Sequence, residues 1–181
     1  MMQNIRGWCA VGLALTLGAC TAGSVSEHRS VFYAPHLVQY AARDGSFPVV
    51  VRGNPTGLTK DAADAAIAEL LRLPSWTTPA RFAPVGQAQG GLYYVLVFDP
   101  ARRIASGSAA CANAGAMPLA SSGGETAVLG VFCQANEALS AALAVGPAVR
   151  GADDPELRSL LARVTGRVFA YTFPARQGSV F

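Results

Sequence analysis

GLYYVLVF, residues 91–98, is the stretch on which the fold turns. It is apolar on both of the faces that an extended chain alternates between, which is the pattern of a central strand rather than a half-exposed one. Asp99-Pro100 closes it. Downstream, residues 101–124 are mostly small and contain Cys111, and Thr126 to Cys133 reads as the next strand. Gln134 to Glu137 can turn the chain into Ala138 to Val145. There Leu139, Ala141, Leu143 and Val145 alternate with smaller residues, but the Ala and Leu content also suits a helix. Residues 138–146 therefore stay open between strand and helix. Asp154 then caps a final helix with Pro155 at its first position and Leu157, Leu160, Leu161 and Val164 on one side.

Upstream, FPVVVR (residues 47–52) is a short β-branched run closed by Gly53-Asn54-Pro55, a strand ending in a turn. Thr59 can cap a helix that continues to about Leu73 before Pro74. Asp61 and Asp64 sit in its first turn, where they suit the helix dipole. Ala63, Ile67, Leu70 and Leu71 form its buried stripe. The order βαβββα predicts an α+β two-layer sandwich, a mixed sheet of about four strands with two helices on one face. Residues 47–170 are the domain, 171–181 a C-terminal tail, and 20–46, without a clean period, a tether that partly docks.

The start of the chain carries an address. Met1 to Arg6 is positive and free of acids, and Trp8 to Leu17 (WCAVGLALTL) is uncharged. Small residues then precede Cys20, as in a secretory signal over residues 1–19. The apolar run is shorter than the roughly 18 residues that a bilayer-spanning helix needs. Leu17-Gly18-Ala19-Cys20 resembles the lipobox of bacterial lipoproteins. That resemblance implies a diacylglycerol on the Cys20 thiol, cleavage before it and acylation, typically palmitate, of the new amine. Thr21 in place of an aspartate implies the outer membrane, periplasmic face, with the inner membrane as the alternative. An ordinary secreted protein with a cysteine near its cleavage site is the competing reading.

Cys9 lies in the expected signal and Cys20 in the lipobox, which leaves Cys111 and Cys133. In an oxidising compartment two remaining cysteines pair, and closing that loop contributes about 3 kcal/mol by restricting the unfolded chain. The rival, a two-cysteine metal site, needs further ligands; His28 and His36 lie far upstream in the expected tether.

Fourteen basic against eleven acidic residues leave a net charge of +3, a balance that names no anionic partner. Nucleic acid is not expected outside the cytoplasm. Gly53 to Lys60 imitates a phosphate-binding loop, but Leu58 stands where the second glycine is needed and Pro55 removes an amide donor. Ser106 and Ser108 have no histidine after them. Asp61 with Asp64 and Asp153 with Asp154 sit at helix starts, where capping accounts for them. Trp76 and the Tyr93-Tyr94 pair read as packing residues. No cofactor and no catalytic residue are expected.

Several segments resemble a family of uncharacterised lipoproteins from Gram-negative bacteria: FPVVVRGNPTG (47–57), YYVLVFDP (93–100), and the Cys111/Cys133 spacing followed by Asp153-Asp154-Pro155. The resemblance implies no established activity, and no site residue can be carried over. The expected function is a non-enzymatic protein that contacts an envelope protein or the cell wall. The alternative is a module for a small apolar or lipid-like ligand, its pocket lined by residues such as Tyr94 and Phe132. Residues 101–124 are longer than a usual strand connection. This loop, with Arg102 and Arg103 at its entry and Met117 beyond the cysteine staple, is the expected partner-contact surface; a tolerated insertion is the alternative.

Overall fold

The computed structural model describes residues 25–87, 90–101, 107–120 and 123–171. In chain order the elements are β1 (Val25–Arg29), α1 (Pro35–Ala42), β2 (Ser46–Arg52), α2 (Lys60–Leu70), β3 (Arg81–Pro84), β4 (Leu92–Phe98), α3 (Gly107–Asn113) with a 3-10 turn (Ala114–Ala116), β5 (Glu125–Gln134), β6 (Glu137–Pro147) and α4 (Pro155–Val168). The six strands form one mixed sheet in the order β1-β6-β5-β4-β2-β3. β4 is paired on both sides, parallel to β2 from Val49↔Tyr94 and antiparallel to β5 from Leu92↔Gln134 to Phe98↔Val128.

The alternation in β4 separates two cores. Tyr94, Leu96 and Phe98 join Phe47, Val49, Val51 and Phe132 beneath α1, α2 and α4, while Tyr93, Val95 and Val97 join Leu129, Val131 and Cys133 beneath α3. In the larger core Phe169, at the end of α4, sits 5.0 to 5.4 Å from the rings of Tyr94, Phe132 and Phe47. Rings at such tilted and edge-on spacings interact favourably beyond their buried area.

The α+β class and the mixed sheet stand, but four strands and two helices on one face are too few. Three helices cover one face and α3 covers part of the other. The described part of the expected tether belongs to the domain: β1 pairs with β6, and Tyr33, Val38 and Ala42 are buried in the larger core. β1 escaped detection because it is a polar edge strand, VSEHR. β3 is only four residues long. Residues 138–146 are strand: Ala141, Leu143 and Val145 face the α3 core and Ala142 and Ala144 the other. The 5–6 hairpin carries a bulge beside Phe132/Cys133, where Leu139 is the extra residue. Next to it the buried Ser140 hydroxyl donates to the Val168 carbonyl at 2.7 Å and ties the sheet to α4.

Local chemistry ends the elements. Gly53, at φ +84°, lets the end of β2 run beside β4, since a Cβ there would lie 2.9 Å from the Phe98 carbonyl oxygen. Thr59 precedes α2 but makes no side-chain capping bond. Asp154 does cap α4, accepting from the amides of Glu156 and Arg150 at 2.9 Å each.

Two predictions follow from this packing. Gly130 of β5 lies beneath α4, and a Cβ there would come 2.4 Å from the Tyr94 hydroxyl oxygen and 2.9 Å from Val164. Both neighbours are fully buried, and the Tyr94 hydroxyl is engaged with Thr165 at 3.3 Å. Gly130→Ala should therefore destabilise the domain by about 1–3 kcal/mol through overpacking, read as a lowered thermal midpoint. The second concerns pH. The amides of Glu156 and then Arg150 hold the Asp154 carboxyl below its ordinary value of 3.8. The cap's contribution is thus complete above that value and is lost as pH falls through the lower folded one. Asp154→Ala should be less stable than wild type at neutral pH, and the gap should close in acid titrations of stability.

Candidate functional site

Cys111 and Cys133 form a disulfide with Cα atoms 5.6 Å apart, a separation that unstrained bridges span. Cys133 lies on β5 as expected. Cys111 lies on α3 rather than in a loop, and residues 107–117 are a built part of the second core. α3 has the composition to lie flat: Gly107 sits where a Cβ would meet that of Ala138 at 2.8 Å, and Ala110, Cys111 and Ala114 are buried. The Tyr93 hydroxyl oxygen is 2.7 Å from the carbonyl oxygens of both Cys111 and Ala135, so its one proton serves two acceptors. Burial raises the Tyr93 pKa, and the two carbonyls give the phenol nothing that would favour losing its proton. Tyr93 also stands opposite Cys133 across the strand pair. One side chain thereby gathers the helix, the bridge and the hairpin turn.

Met117 was expected on a contact surface. It is buried with 6% exposure among the residues of the second core, so its side chain packs rather than presents. Cys20, Arg102, Arg103 and Ser106 lie outside the described residues. His28 is exposed on β1, opposite Ala141 of β6, and His36 is exposed on α1. Tyr94 and Phe132 both have 0% exposure, and each packs its ring against that of Phe169. The phosphate-loop imitation is closed by its own side chain, with Asn54 donating to the Leu58 carbonyl and accepting from the Thr56 amide and hydroxyl. Asp64 pairs with Lys60. Among the described residues, no three His, Cys, Asp or Glu side chains cluster as metal ligands. Among them also, no helix is long and apolar enough to cross a membrane.

Two concave regions stand out among the described residues. One, of about 380 Å³, adjoins the bridge between Val50, Tyr93, Asn113 and Asn136. The other, of about 670 Å³, runs between α2 and the edge strand β3. Ala65 and Ala68, one turn apart on α2, leave its wall low; Leu71 and Phe82, 3% and 7% exposed, make an apolar floor. Glu69, Arg72 and Arg81 form the rim. Arg72 is fixed there because its guanidinium donates to the carbonyls of Glu69 and Leu71, the otherwise open end of α2.

The edge of β3 is guarded. The amides of Arg81 and Val85 donate inward to Gly45 and Val49, so alternation turns the amide of Phe82 outward, and Pro84 has none to offer. A groove beside a guarded edge admits side chains better than it admits a new strand. Of these residues the sequence singled out Leu71, as part of a buried stripe; Arg81 to Pro84 is too short for a periodicity to show.

The exposed large apolar side chains lie elsewhere. Val31 and Phe32, in the turn after β1, are 81% and 77% exposed. Tyr40 carries the Arg43 guanidinium 3.8 Å above its ring. Tyr171 packs edge-on against Trp76 at 5.3 Å. Tyr33 between them is buried, its hydroxyl donates to the Ala170 carbonyl at 3.0 Å, and burial pushes its pKa up to about 12 against the opposing charge of Arg29.

No family model and no curated protein matches the chain. Two solved structures of the PelC dodecamer from Paraburkholderia phytofirmans overlap it at 16% identity. A point variant in space group C2 covers 83% of this chain and 99% of its own, with a TM-score of 0.42. The P6 form covers 82% and 96%, with a TM-score of 0.39. Overlaps this loose carry no function across.

Removing the bridge should expose what it holds. The Cys111→Ala/Cys133→Ala protein should lose about 3 kcal/mol of stability, and in hydrogen exchange the amides of α3 should lose protection while those of α4 keep theirs. Equal protection in both helices would mean that α3 stays seated without the bridge.

Proposed function

We propose that this chain is a non-enzymatic envelope lipoprotein, exported by residues 1–19, acylated at Cys20 and held at the periplasmic face of the outer membrane. Its groove between α2 and β3 binds a segment of another envelope protein. The observation that supports this reading is the groove itself: an apolar floor of Leu71 and Phe82 under a rim of opposite charges, Glu69 against Arg72 and Arg81. An apolar centre within a polar rim is how recognition surfaces are built. The groove lies five strand spacings from β1, roughly 24 Å at the usual spacing of strands. A lipid attached a few residues before Val25 therefore leaves it free.

A second reading has one observation in its favour. The volume of about 670 Å³ falls within the roughly 300–1,000 Å³ of small-molecule sites, so a small apolar ligand could lie on the same floor. The open, doubly charged rim favours a peptide over an enclosed ligand.

Ala65 is exposed on the groove wall, so Ala65→Trp fills the groove without touching the core. The variant should fold, incorporate acyl label on Cys20 and fractionate like wild type, yet fail to complement a deletion strain. Full complementation would move the working surface elsewhere. Acyl label absent from the wild-type protein would remove the anchor from this reading and leave the groove untouched.

A further inference from the structure

Val31 and Phe32 are adjacent in one turn, and each shows more than three quarters of its surface to solvent. A vicinal pair of that kind is costly to leave in water, and nothing in the turn holds it for packing: the Phe32 amide donates to the Ser30 hydroxyl at 3.2 Å, and the next residue, Tyr33, turns inward. The turn stands at one end of β1. At the other end, four residues separate Val25 from Cys20.

We infer that Val31 and Phe32 form a second membrane contact, inserted into the lipid surface on which the proposed anchor holds the domain. The inference rests on that anchored reading for the position of the protein. The lengths make the two contacts compatible. Residues 20 to 25 reach at most about 17 Å, and β1 from Val25 to Arg29 is about 13 Å long. With the acyl chains at one end and the apolar pair at the other, the edge strand lies along the bilayer plane.

Charge at the turn fits the same occupant. Arg29 donates to the Arg167 carbonyl at 2.7 Å, bringing two guanidinium-bearing residues to the Phe32 end of the strand, and Glu27 is met by Arg167 at 3.8 Å. Arginines with apolar neighbours sit well at headgroup level. The arrangement also turns the outward backbone of β1 toward the membrane and the groove by β3 away from it. A lipid chain alone permits the domain to swivel; two contacts fix which edge is up.

The test uses the full-length lipoprotein, reconstituted in vesicles of phosphatidylethanolamine and phosphatidylglycerol whose acyl chains carry bromine. Trp76→Phe removes the native indole of the mature chain and Trp8→Phe that of any uncleaved precursor, and Phe32→Trp or Leu58→Trp then supplies a single probe. Leu58, 43% exposed just before α2, serves as the control away from the turn. Bromolipid should quench the Phe32→Trp emission at least twofold and leave Leu58→Trp unchanged. Quenching equal at both positions, or absent at Phe32→Trp while Cys20 is acylated, overturns the second contact and leaves the anchor standing. A blue-shifted Phe32→Trp emission that bromine does not quench also overturns it, since a protein would then cover the turn. Quenching at Phe32→Trp in protein without acyl label supports the contact and removes the anchor.

Discussion

A strand that is apolar on both faces must be covered twice, and β4 imposes that constraint on everything around it. Desolvating Tyr94, Leu96 and Phe98 is accomplished by long side chains from α4, from Leu157 to Phe169. The opposite face, with Tyr93, Val95 and Val97, is given a cover of glycine, alanine and cysteine. Seven residues of such composition have little helical stability of their own, since isolated helices below roughly 12 residues are marginal even when rich in alanine. They bury little apolar surface per residue as well. The disulfide and the shared proton of Tyr93 compensate by joining α3 to the sheet directly. The asymmetry of the two covers explains why one face is held by packing and the other by covalent chemistry.

The same sheet has two free edges, and they are protected differently. β3 is short and ends in proline, which withholds a donor from any strand that might dock there. β1 carries Glu27, His28 and Arg29 in succession, a charged edge that resists pairing with another copy. The proposed contact surfaces and the edge protection coincide at both places. The groove opens where β3 is too short to fill the space beside α2, and the exposed turn of Val31 and Phe32 follows directly on the charged strand.

What was legible in the sequence follows from how burial writes itself into residue order. β4, β5, α2 and α4 are buried on at least one full face, so their periods are clean. The Asp154-Pro155 cap and the pairing of Cys111 with Cys133 were equally plain, because each rests on the chemistry of one or two residues. β1 and β3 were not legible, since an edge strand with charges and a four-residue strand with proline both lack a period. α3 was hidden because alanine, serine and glycine suit a loop as well as a helix, and only the sheet beneath decides between them. Met117 was misread for the same reason: without α3, nothing indicated that the chain returns to the sheet there. The groove was invisible because its residues come from two elements, one of which could not be seen.

The bulge beside Cys133 and the position of that cysteine have a consequence for how the protein reaches its native state. Side chains along β5 alternate between a face that meets α4 and a face that meets α3, so slipping the strand by one residue would carry the Cys133 thiol to the wrong side of the sheet. Phe132 or Gln134 would then stand over α3, and Cys111 would find no partner. Oxidation therefore accepts one alignment and refuses its neighbours. The disulfide acts as a checkpoint on strand register as well as a staple, and the reaction that locks the sheet also proofreads its alignment.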